Sequence, residues 1–478
     1  MSQRVRVRFA PSPTGELHLG NVRTALYNWL FAKRHRGVFV LRIEDTDRER
    51  STEASCRSLM EILRWLGLSW DEGPEVEGPH APYRQSERGN IYREHLERLK
   101  SSGAVYPCFC TEEELEIERK RQMGRGEMPR YGGRCRALSE EEATNRVAAG
   151  APHVLRFKVP AGEIRFSDEV RGEVAFPPDQ IGDFVLTRTD GSPTYNFTVV
   201  VDDALMGITH VLRGEDHLSN TPKQIFLYRA LVYEPPNFAH LSLLKGPDGQ
   251  KLSKRHGETA VEGYRALGYL PEAFLNYIAL LGFAPQNGEI QTLEALAAEF
   301  DLKRVHKSGA IFDPKKLHWM GNQYIMRAPT PDLARAVKPF LVDAGLSTRE
   351  DLEQRKEWLE GVVDAVKTHL GCLSEVVDPV RLFFETEPAI AGSQAEELRS
   401  AGKVLSVVAK AIEAAPAFDG ASFGAAVKAA GQELNVKGRA LYHPVRLALT
   451  GREDGPELVK IAPLLGREVV LKRLKAWI

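Results

Sequence analysis

The sequence predicts an α/β N-terminal half built on a parallel sheet, interrupted by an inserted α+β segment and followed by an all-α C-terminal half. Three observations predict it. Strand and helix patterns alternate up to Gly67, Gly, Pro and acidic residues break the pattern at Gly73 to Pro82, and from Glu262 onward the text is almost entirely helical. Taken in order, Arg4 to Phe9 alternates polar and apolar residues like a strand. A Pro/Gly-rich loop runs from Pro11 to Gly20. Asn21 to Lys33 then carries Val22, Leu26, Trp29 and Leu30 at helical spacing. Val38 to Ile43 is a near-continuous apolar run ending in Glu44 and Asp45. It reads as a buried parallel strand whose C-terminal end delivers acids to a site. Leu59, Ile62, Leu63 and Leu66 form the apolar face of the next helix, which Gly67 ends. The insert contains a charged helical stretch (Thr111 to Gln122) and a strand at His153 to Val159. Strand-like alternation resumes at Phe184 to Val201 and Ile208 to Leu212. No internal repeat or low-complexity tract is found.

A chain of 478 residues exceeds the size of one core, so two to four domains are expected. The composition, 43% hydrophobic and 27% charged, is that of an ordinary globular protein. No stretch approaches the ~20 apolar residues that span a bilayer. The N-terminus alternates instead of presenting the apolar core of a signal peptide, so the cytoplasm is the expected compartment. The formal net charge of -1 neither suggests nor excludes a nucleic-acid partner, because basic residues can be grouped on one face. Five cysteines are an odd number and not a disulfide framework. Three of them (Cys108, Cys110, Cys135) fall within 28 residues, which points to metal before redox chemistry. Cys56 and Cys372 lie in helical patterns and read as packing residues.

Two segments carry the chemistry. In the loop Pro11 to Gly20 (PSPTGELHLG), Gly15 and Gly20 let the backbone turn and approach a ligand. The helix that follows aims free N–H groups and its positive dipole end at the loop. Thr14 and His18 can donate to phosphate oxygens. Alone, the loop is equally a proline-rich turn. The second segment, Lys251-Leu252-Ser253-Lys254-Arg255, follows the turn Gly246 to Gly249. A basic loop can close over a triphosphate and neutralise the charge that develops as pyrophosphate leaves. Alone, it is a solvated charge run. The pair is more specific than either.

A strand followed by P-S-P-T-G-x-x-H-x-G, with K-L-S-K-R some 230 residues later, resembles the two signature motifs of class I aminoacyl-tRNA synthetases. Arg42 to Asp47, Tyr83 to Arg88, Pro193 to Phe197 with Asp202-Asp203, and Leu212 to His217 resemble the glutamyl subgroup. The ending Lys437 to Gly451 does too. The resemblance covers essentially the whole chain. It implies a Rossmann-type catalytic domain split between residues 1–82 and 189–250, and an acceptor-end-binding insert at 83–188. It further implies a loop and tRNA stem-contact domain at 251–328, where Phe312 to Trp319 resembles the stem-contacting segment, and a helical anticodon-binding region at 329–478. The implied reaction joins L-glutamate to tRNA(Glu) with ATP, accompanied by Mg²⁺, in a monomer with no membrane partner.

Residue roles carry over from the family by position. Arg8 meets the side-chain carboxylate, as its planar fork suits. Glu44 holds the ammonium, Ala10 and Ser12 line the pocket, and Tyr195 and Arg213 complete it. A charged, buried pocket rejects glutamine because an amide leaves a guanidinium unpaired. Without the motifs, Arg8 and Arg213 read better as ordinary salt-bridge residues. Some family members carry asparagine where this chain has Val199. Thr14, His18, Gly20, Lys251, Ser253 and Lys254 contact ATP, with His18 and Lys254 as the catalytic pair. No covalent nucleophile is needed, because catalysis is positioning plus charge stabilisation.

Cys108, Cys110 and Cys135 lack the histidine that many relatives place two residues after the last cysteine, where this chain has Ala137. Tyr131 is the available fourth ligand, as in a related glutamylating enzyme, which gives one Zn²⁺ on Cys108, Cys110, Cys135 and Tyr131. The alternative is three reduced cysteines in a zinc-free insert. Toward the C-terminus, Lys437, Arg439 and Arg446 are candidates for tRNA contacts or solvated helix faces. His369 aligns near the position where discriminating relatives read the third anticodon base with arginine, which leaves open charging of tRNA(Gln). A short glutamylating relative lacks the C-terminal half, and glutaminyl enzymes end in β-barrels. A non-catalytic paralogue predicts erosion of His18, Lys254 or Glu44, and all three are present.

Overall fold

The computed structural model describes residues 4–47, 50–177, 180–253 and 258–478. It divides into two compact units, residues 1–264 with 275–313, and residues 265–274 with 314–478.

The first unit opens with β1 (Arg6–Phe9), α1 (Leu19–Arg34), β2 (Val38–Leu41), α2 (Glu53–Trp65) and α3 (Gly89–Ser101). β1 and β2 pair in parallel, Arg8 opposite Val40. α1 buries eleven of its sixteen residues, including Leu26, Tyr27 and Leu30, so it is packed on nearly every side and needs no amphipathic stripe. α2 is amphipathic and starts at Thr52, whose hydroxyl accepts the Ser55 amide. Gly67 follows it at φ 74°, the left-handed conformation that ends helices cheaply in glycine.

The insert contributes β3 (Val105–Cys108), α4 (Glu112–Gly124), α5 (Glu140–Ala148), β4 (Val154–Phe157), β5 (Ile164–Asp168), β6 (Gly172–Phe176) and β7 (Val185–Thr187). Strands β3, β4 and β7 make an antiparallel sheet. α4 has a Thr111–Glu114 capping box and no buried residue, so local capping rather than packing defines it. The β5–β6 hairpin lies inside the span 83–188 yet belongs to another sheet, because Asp168 pairs in parallel with Phe238.

The remaining elements of this unit are α6 (Tyr195–Leu205), β8 (His210–Gly214), α7 (Thr221–Ala230), β9 (Asn237–Leu241), β10 (Leu244–Lys245), α8 (Val261–Ala266), α9 (Pro271–Leu280), α10 (Leu293–Glu299) and β11 (Ala310–Ile311). The last residues of α8 and the start of α9 belong to the second unit. The strand order is β6-β5-β9-β8, and the Thr209 amide donates to the Arg6 carbonyl at 2.9 Å, which brings β1–β2 alongside β8. This is the expected Rossmann-type parallel sheet. The segment Tyr195 to Val201, read from its alternation as strand, is instead helix α6. Phe197, Val199, Val200, Val201, Asp202 and Asp203 are all buried, so burial on every side erased the period that separates strand from helix.

The second unit is helical throughout, as expected: α11 (Pro314–Arg327), α12 (Thr330–Asp343), α13 (Arg349–Gln354), α14 (Lys356–Val366), α15 (Val377–Val380), α16 (Gly392–Ser400), α17 (Gly402–Ala414), α18 (Gly420–Glu433), α19 (Arg439–Thr450), α20 (Leu458–Leu465) and α21 (Arg467–Lys475). One core gathers Leu333, Val337, Leu341, Leu359 and Val363, and another Leu405, Val408, Phe423, Val445 and Ile461. No helix among the described residues is long and apolar enough to cross a membrane.

Candidate functional site

Parallel strands point their carboxyl ends at one edge of a sheet, where ligands gather. Phe9 at the end of β1, Glu44 just past β2, Gly214 at the end of β8 and Ser242 just past β9 line a single cavity of about 850 Å³. It is walled by Arg8, Ala10, Ser12, Thr14, His18, Gly20, Glu44, Tyr195, Arg213, Lys251 and Ser253. Every residue expected to meet the amino acid or ATP is therefore on one cavity except Lys254, which lies outside the described residues.

The first signature segment pairs through backbone with residues 259–261, shortly after the second. The Leu19 amide donates to the Thr259 carbonyl at 3.1 Å, the Val261 amide donates to the Leu17 carbonyl at 3.0 Å, and His18 bridges Ala260. α1 begins at Leu19 with His18 as its N-cap, and the His18 side chain makes no capping bond. The helix amides are largely spoken for, since Asn21 and Val22 both donate to the His18 carbonyl. A Cβ placed on Gly15 or Gly20 would meet no protein atom within 4 Å. Packing therefore does not demand either glycine, and the space before Gly20 is the cavity itself.

Charge is distributed unevenly around this cavity. Asp203, on α6, accepts Arg8 Nε at 3.1 Å and Arg42 Nη1 at 2.7 Å. Its neighbour Asp202 accepts Arg88 Nε at 2.6 Å, Gln85 at 2.8 Å and the Tyr92 hydroxyl at 2.9 Å. Arg42 Nη2 donates to Glu44 Oε1 at 3.0 Å. Three guanidiniums thus face three carboxylates, all buried. Burial opposes ionisation of Asp203, but Arg8 and Arg42 outweigh it and hold the carboxyl below its ordinary range. Burial raises the Glu44 carboxyl, and Arg42 and Arg8 offset this only in part.

Arg213, like Arg23, stands outside these ion pairs. It is 5% exposed, and among the described residues its hydrogen-bond acceptors are all neutral: Thr221 Oγ1 at 2.9 Å, His240 Nε2 at 3.2 Å and the Tyr195 hydroxyl at 3.4 Å. Burial pushes its guanidinium down. A buried cation without a counter-ion is costly unless a ligand supplies one. His217, also on the cavity wall, is held neutral, pushed down to about 4 by burial and by Arg213. Val199 is buried in α6 and does not reach the cavity.

Sequence reasoning missed several of these residues. Arg42, Asp202 and Asp203 stood in quoted motifs without a role. Arg23 lines the cavity, buried, with its guanidinium on the carbonyls of Ser242 and Leu281. The only signal for Arg23 was a basic residue inside an otherwise apolar helix. Asp168, Thr221 and His240 carried no signal.

A second cluster lies at the end of β3. The Cys108, Cys110 and Cys135 sulfurs are all within 4.8 Å of one another, with Cys110 Sγ to Cys135 Sγ at 3.6 Å. The Tyr131 hydroxyl is 3.4 Å from Cys108 Sγ and 3.8 Å from Cys110 Sγ, and it accepts the Cys135 amide at 2.7 Å. Ligands of a tetrahedral zinc with bonds of about 2.3 Å are about 3.8 Å apart, so these four donors fit such an ion. Ala137 lies in the same turn as Cys135 and offers no ligand.

In the second unit, Lys437 and Arg439 are exposed at the start of α19. Arg446 is half-buried and gives Nη1 to the Pro456 carbonyl at 2.9 Å. His369 is exposed in the turn after α14, where Asn322 Nδ2 holds the carbonyls of Thr368 and Leu370 at 3.1 and 2.9 Å.

Residues 4–319 match the family described as tRNA synthetases class I (E and Q), catalytic domain, and residues 332–478 match the anticodon binding domain. A glutamate–tRNA ligase of Natranaerobius thermophilus is 47% identical over 100% of this chain and 99% of its own length. One from Desulforamulus reducens is 46% identical over 99% of each. The crystal structure of a glutamate tRNA ligase from Elizabethkingia meningosepticum, in complex with its amino acid, superposes with a TM-score of 0.90 at 34% identity, covering 99% of both chains.

Proposed function

The chain belongs to the class I tRNA synthetases for glutamate and glutamine, and from that premise we propose that it is a glutamate–tRNA ligase that joins L-glutamate to tRNA(Glu) at the cost of ATP. The observation that carries this reading is Arg213, a buried cation on the cavity wall whose hydrogen-bond acceptors among the described residues are all neutral. A substrate side-chain carboxylate supplies the missing anion, and Arg8 borders the same space. Glu44 engages Arg42 through Oε1, and its wall position suits an ammonium group. Glutamine carries no charge to offer Arg213 and is disfavoured.

In the reaction, a substrate α-carboxylate oxygen attacks the α-phosphorus of ATP, the bond to the bridging oxygen breaks, and pyrophosphate leaves. A ribose hydroxyl at the tRNA 3′ end then attacks the adenylate carbonyl and releases AMP. The chain's contribution is to hold the reactants in line and to meet developing charge. Thr14, His18, Gly20, Lys251 and Ser253, which line the cavity, are assigned to the ATP phosphates, and Lys254 is assigned there by likeness to the family motif alone. Mg²⁺ accompanies ATP and screens its charge when bound. Lys437, Arg439, Arg446 and His369 are assigned to tRNA in the same reading, with the chain acting as a cytoplasmic monomer. Charging assays with purified tRNA(Glu) and tRNA(Gln) test it. Glutamylation of tRNA(Glu) is expected, and the tRNA(Gln) assay decides whether His369, which aligns near the position where relatives discriminate with arginine, leaves that tRNA as a second acceptor. ATP–pyrophosphate exchange that stays independent of glutamate even with tRNA present would overturn the reading.

Zn²⁺ on Cys108, Cys110, Cys135 and Tyr131 would tie β3 to the turn at Arg134–Ala137 and have no part in the chemistry. Burial pushes the Cys110 thiol up to about 12, with Cys135 and Cys108 adding to it, and a cation among the sulfurs relieves this. Elemental analysis is expected to give one zinc per chain, and Cys135→Ser to lose it. Less than about a tenth of an equivalent after mild purification would sink the assignment.

A further inference from the structure

Arg213 cannot hold its own orientation. A guanidinium on a flexible stem has several rotamers, and in most of them the fork would miss a ligand carboxylate. What fixes it comes from two neighbouring strands. β8 and β9 are parallel, and their register sets Arg213 opposite His240. β5 is the next strand, and its last residue, Asp168, is opposite Phe238. Arg213 and His240 are in register and share a face, and Asp168, in register with Phe238 two residues before His240, lies diagonally on that same face.

We propose that Asp168 and His240 are positioning residues, a two-membered relay that fixes the Arg213 fork for the substrate carboxylate. The proposal deepens the reading of the cavity given above and rests on it. Asp168 is immobile: its Oδ1 accepts the amides of Val170 at 3.0 Å, Arg171 at 2.8 Å and His240 at 3.2 Å. Its Oδ2 is 2.6 Å from His240 Nδ1. A carboxylate there requires a proton on Nδ1, which leaves Nε2 as a lone-pair acceptor. Nε2 is 3.2 Å from Arg213 Nε and 3.1 Å from Thr221 Oγ1, which in turn accepts Arg213 Nη2 at 2.9 Å. One edge of the guanidinium is thus held by two neutral acceptors, and its charge remains for the cavity. The other tautomer would set an N–H against the Arg213 N–H. An imidazolium would add a second cation. Burial favours the neutral ring, since it lowers the His240 pKa despite Asp168. A carboxylate in the place of His240 would neutralise Arg213 and remove the reason for a substrate anion to bind.

His240 is wholly buried, and two replacements separate its two contacts. Asparagine reaches as far as Nδ1 and keeps the bond to Asp168. Glutamine reaches as far as Nε2 and presents a carbonyl to Arg213. His240→Asn is expected to raise KM for glutamate by roughly tenfold to hundredfold, with KM for ATP within about twofold of wild type. His240→Gln is expected to recover most of that loss. Asp168→Asn, which does not touch the cavity, should resemble His240→Asn because the amide no longer dictates the tautomer. Equal defects in the two His240 variants, or KM values for ATP and glutamate rising together, would overturn the relay. Arg213→Ala measured alongside separates the layers. If it leaves KM for glutamate unaltered, the reading of the cavity fails and the relay with it. If it is impaired while His240→Asn and Asp168→Asn match wild type, the relay alone fails.

Discussion

Arg213→Ala is expected to abolish efficient glutamate activation while leaving the folded chain as stable as wild type or slightly more so. Truncating one partner of a buried charged contact costs about 2–5 kcal/mol, a fall in kcat/KM for glutamate of roughly 30- to 5,000-fold. The stability side follows from what Arg213 touches. Its acceptors are a threonine hydroxyl, an imidazole nitrogen and a phenol, none of them charged. Removing the guanidinium strands no carboxylate, and Thr221 Oγ1 and His240 Nε2, 3.1 Å apart, can satisfy each other. The protein also sheds a buried cation that no carboxylate in the described structure hydrogen-bonds. ATP–pyrophosphate exchange in the presence of tRNA gives the kinetic term, and thermal denaturation of the ligand-free variant the other. A variant that melts far below wild type would mean that Arg213 is structural. With full-strength binding of glutamate, it would mean the cavity is organised around some other group.

The sequence made half of this arrangement readable. Arg8, Glu44, Tyr195 and Arg213 could be chosen because ordered motifs surround them, and local pattern placed β1, α1 and β2 within two or three residues of their observed limits. The partners were not readable. Asp168 and His240 are 72 residues apart, and only the order and register of three strands bring them together. No local window contains that information. The β5–β6 hairpin was unreadable for the same reason. It lies in the middle of the insert but pairs with β9 of the parallel sheet, so the chain leaves the catalytic sheet and returns more than once. α6 shows the opposite failure. Its residues were noticed, but an element buried on all sides has no polar face to reveal its period. The cysteines were legible because ligand chemistry demands particular residue types. Tyr131 was legible only by likeness to a relative.

Asp203 carries the largest expected effect on stability. Together with Asp202 it ties β1, the segment after β2, the turn before α3, α3 itself and α6 to one another, through Arg8, Arg42, Gln85, Arg88 and Tyr92. Asp203→Asn keeps the shape and removes one negative charge from a buried set of three against three. Arg8 and Arg42 are then left with Glu44 and Asp202, and the expected loss is about 3–5 kcal/mol. The pH dependence gives a second check. The folded-state pKa of Asp203 lies below the ordinary aspartate value near 3.8, because Arg8 and Arg42 outweigh burial. Its contribution is therefore complete above the unfolded pKa and is lost as pH falls through the lower folded one. Wild type and variant should differ by a constant amount from neutral pH down to about 5 and converge below about 4. Denaturation midpoints measured across that range decide the matter. A gap that persists unchanged at acid pH would mean that shape rather than charge makes Asp203 necessary.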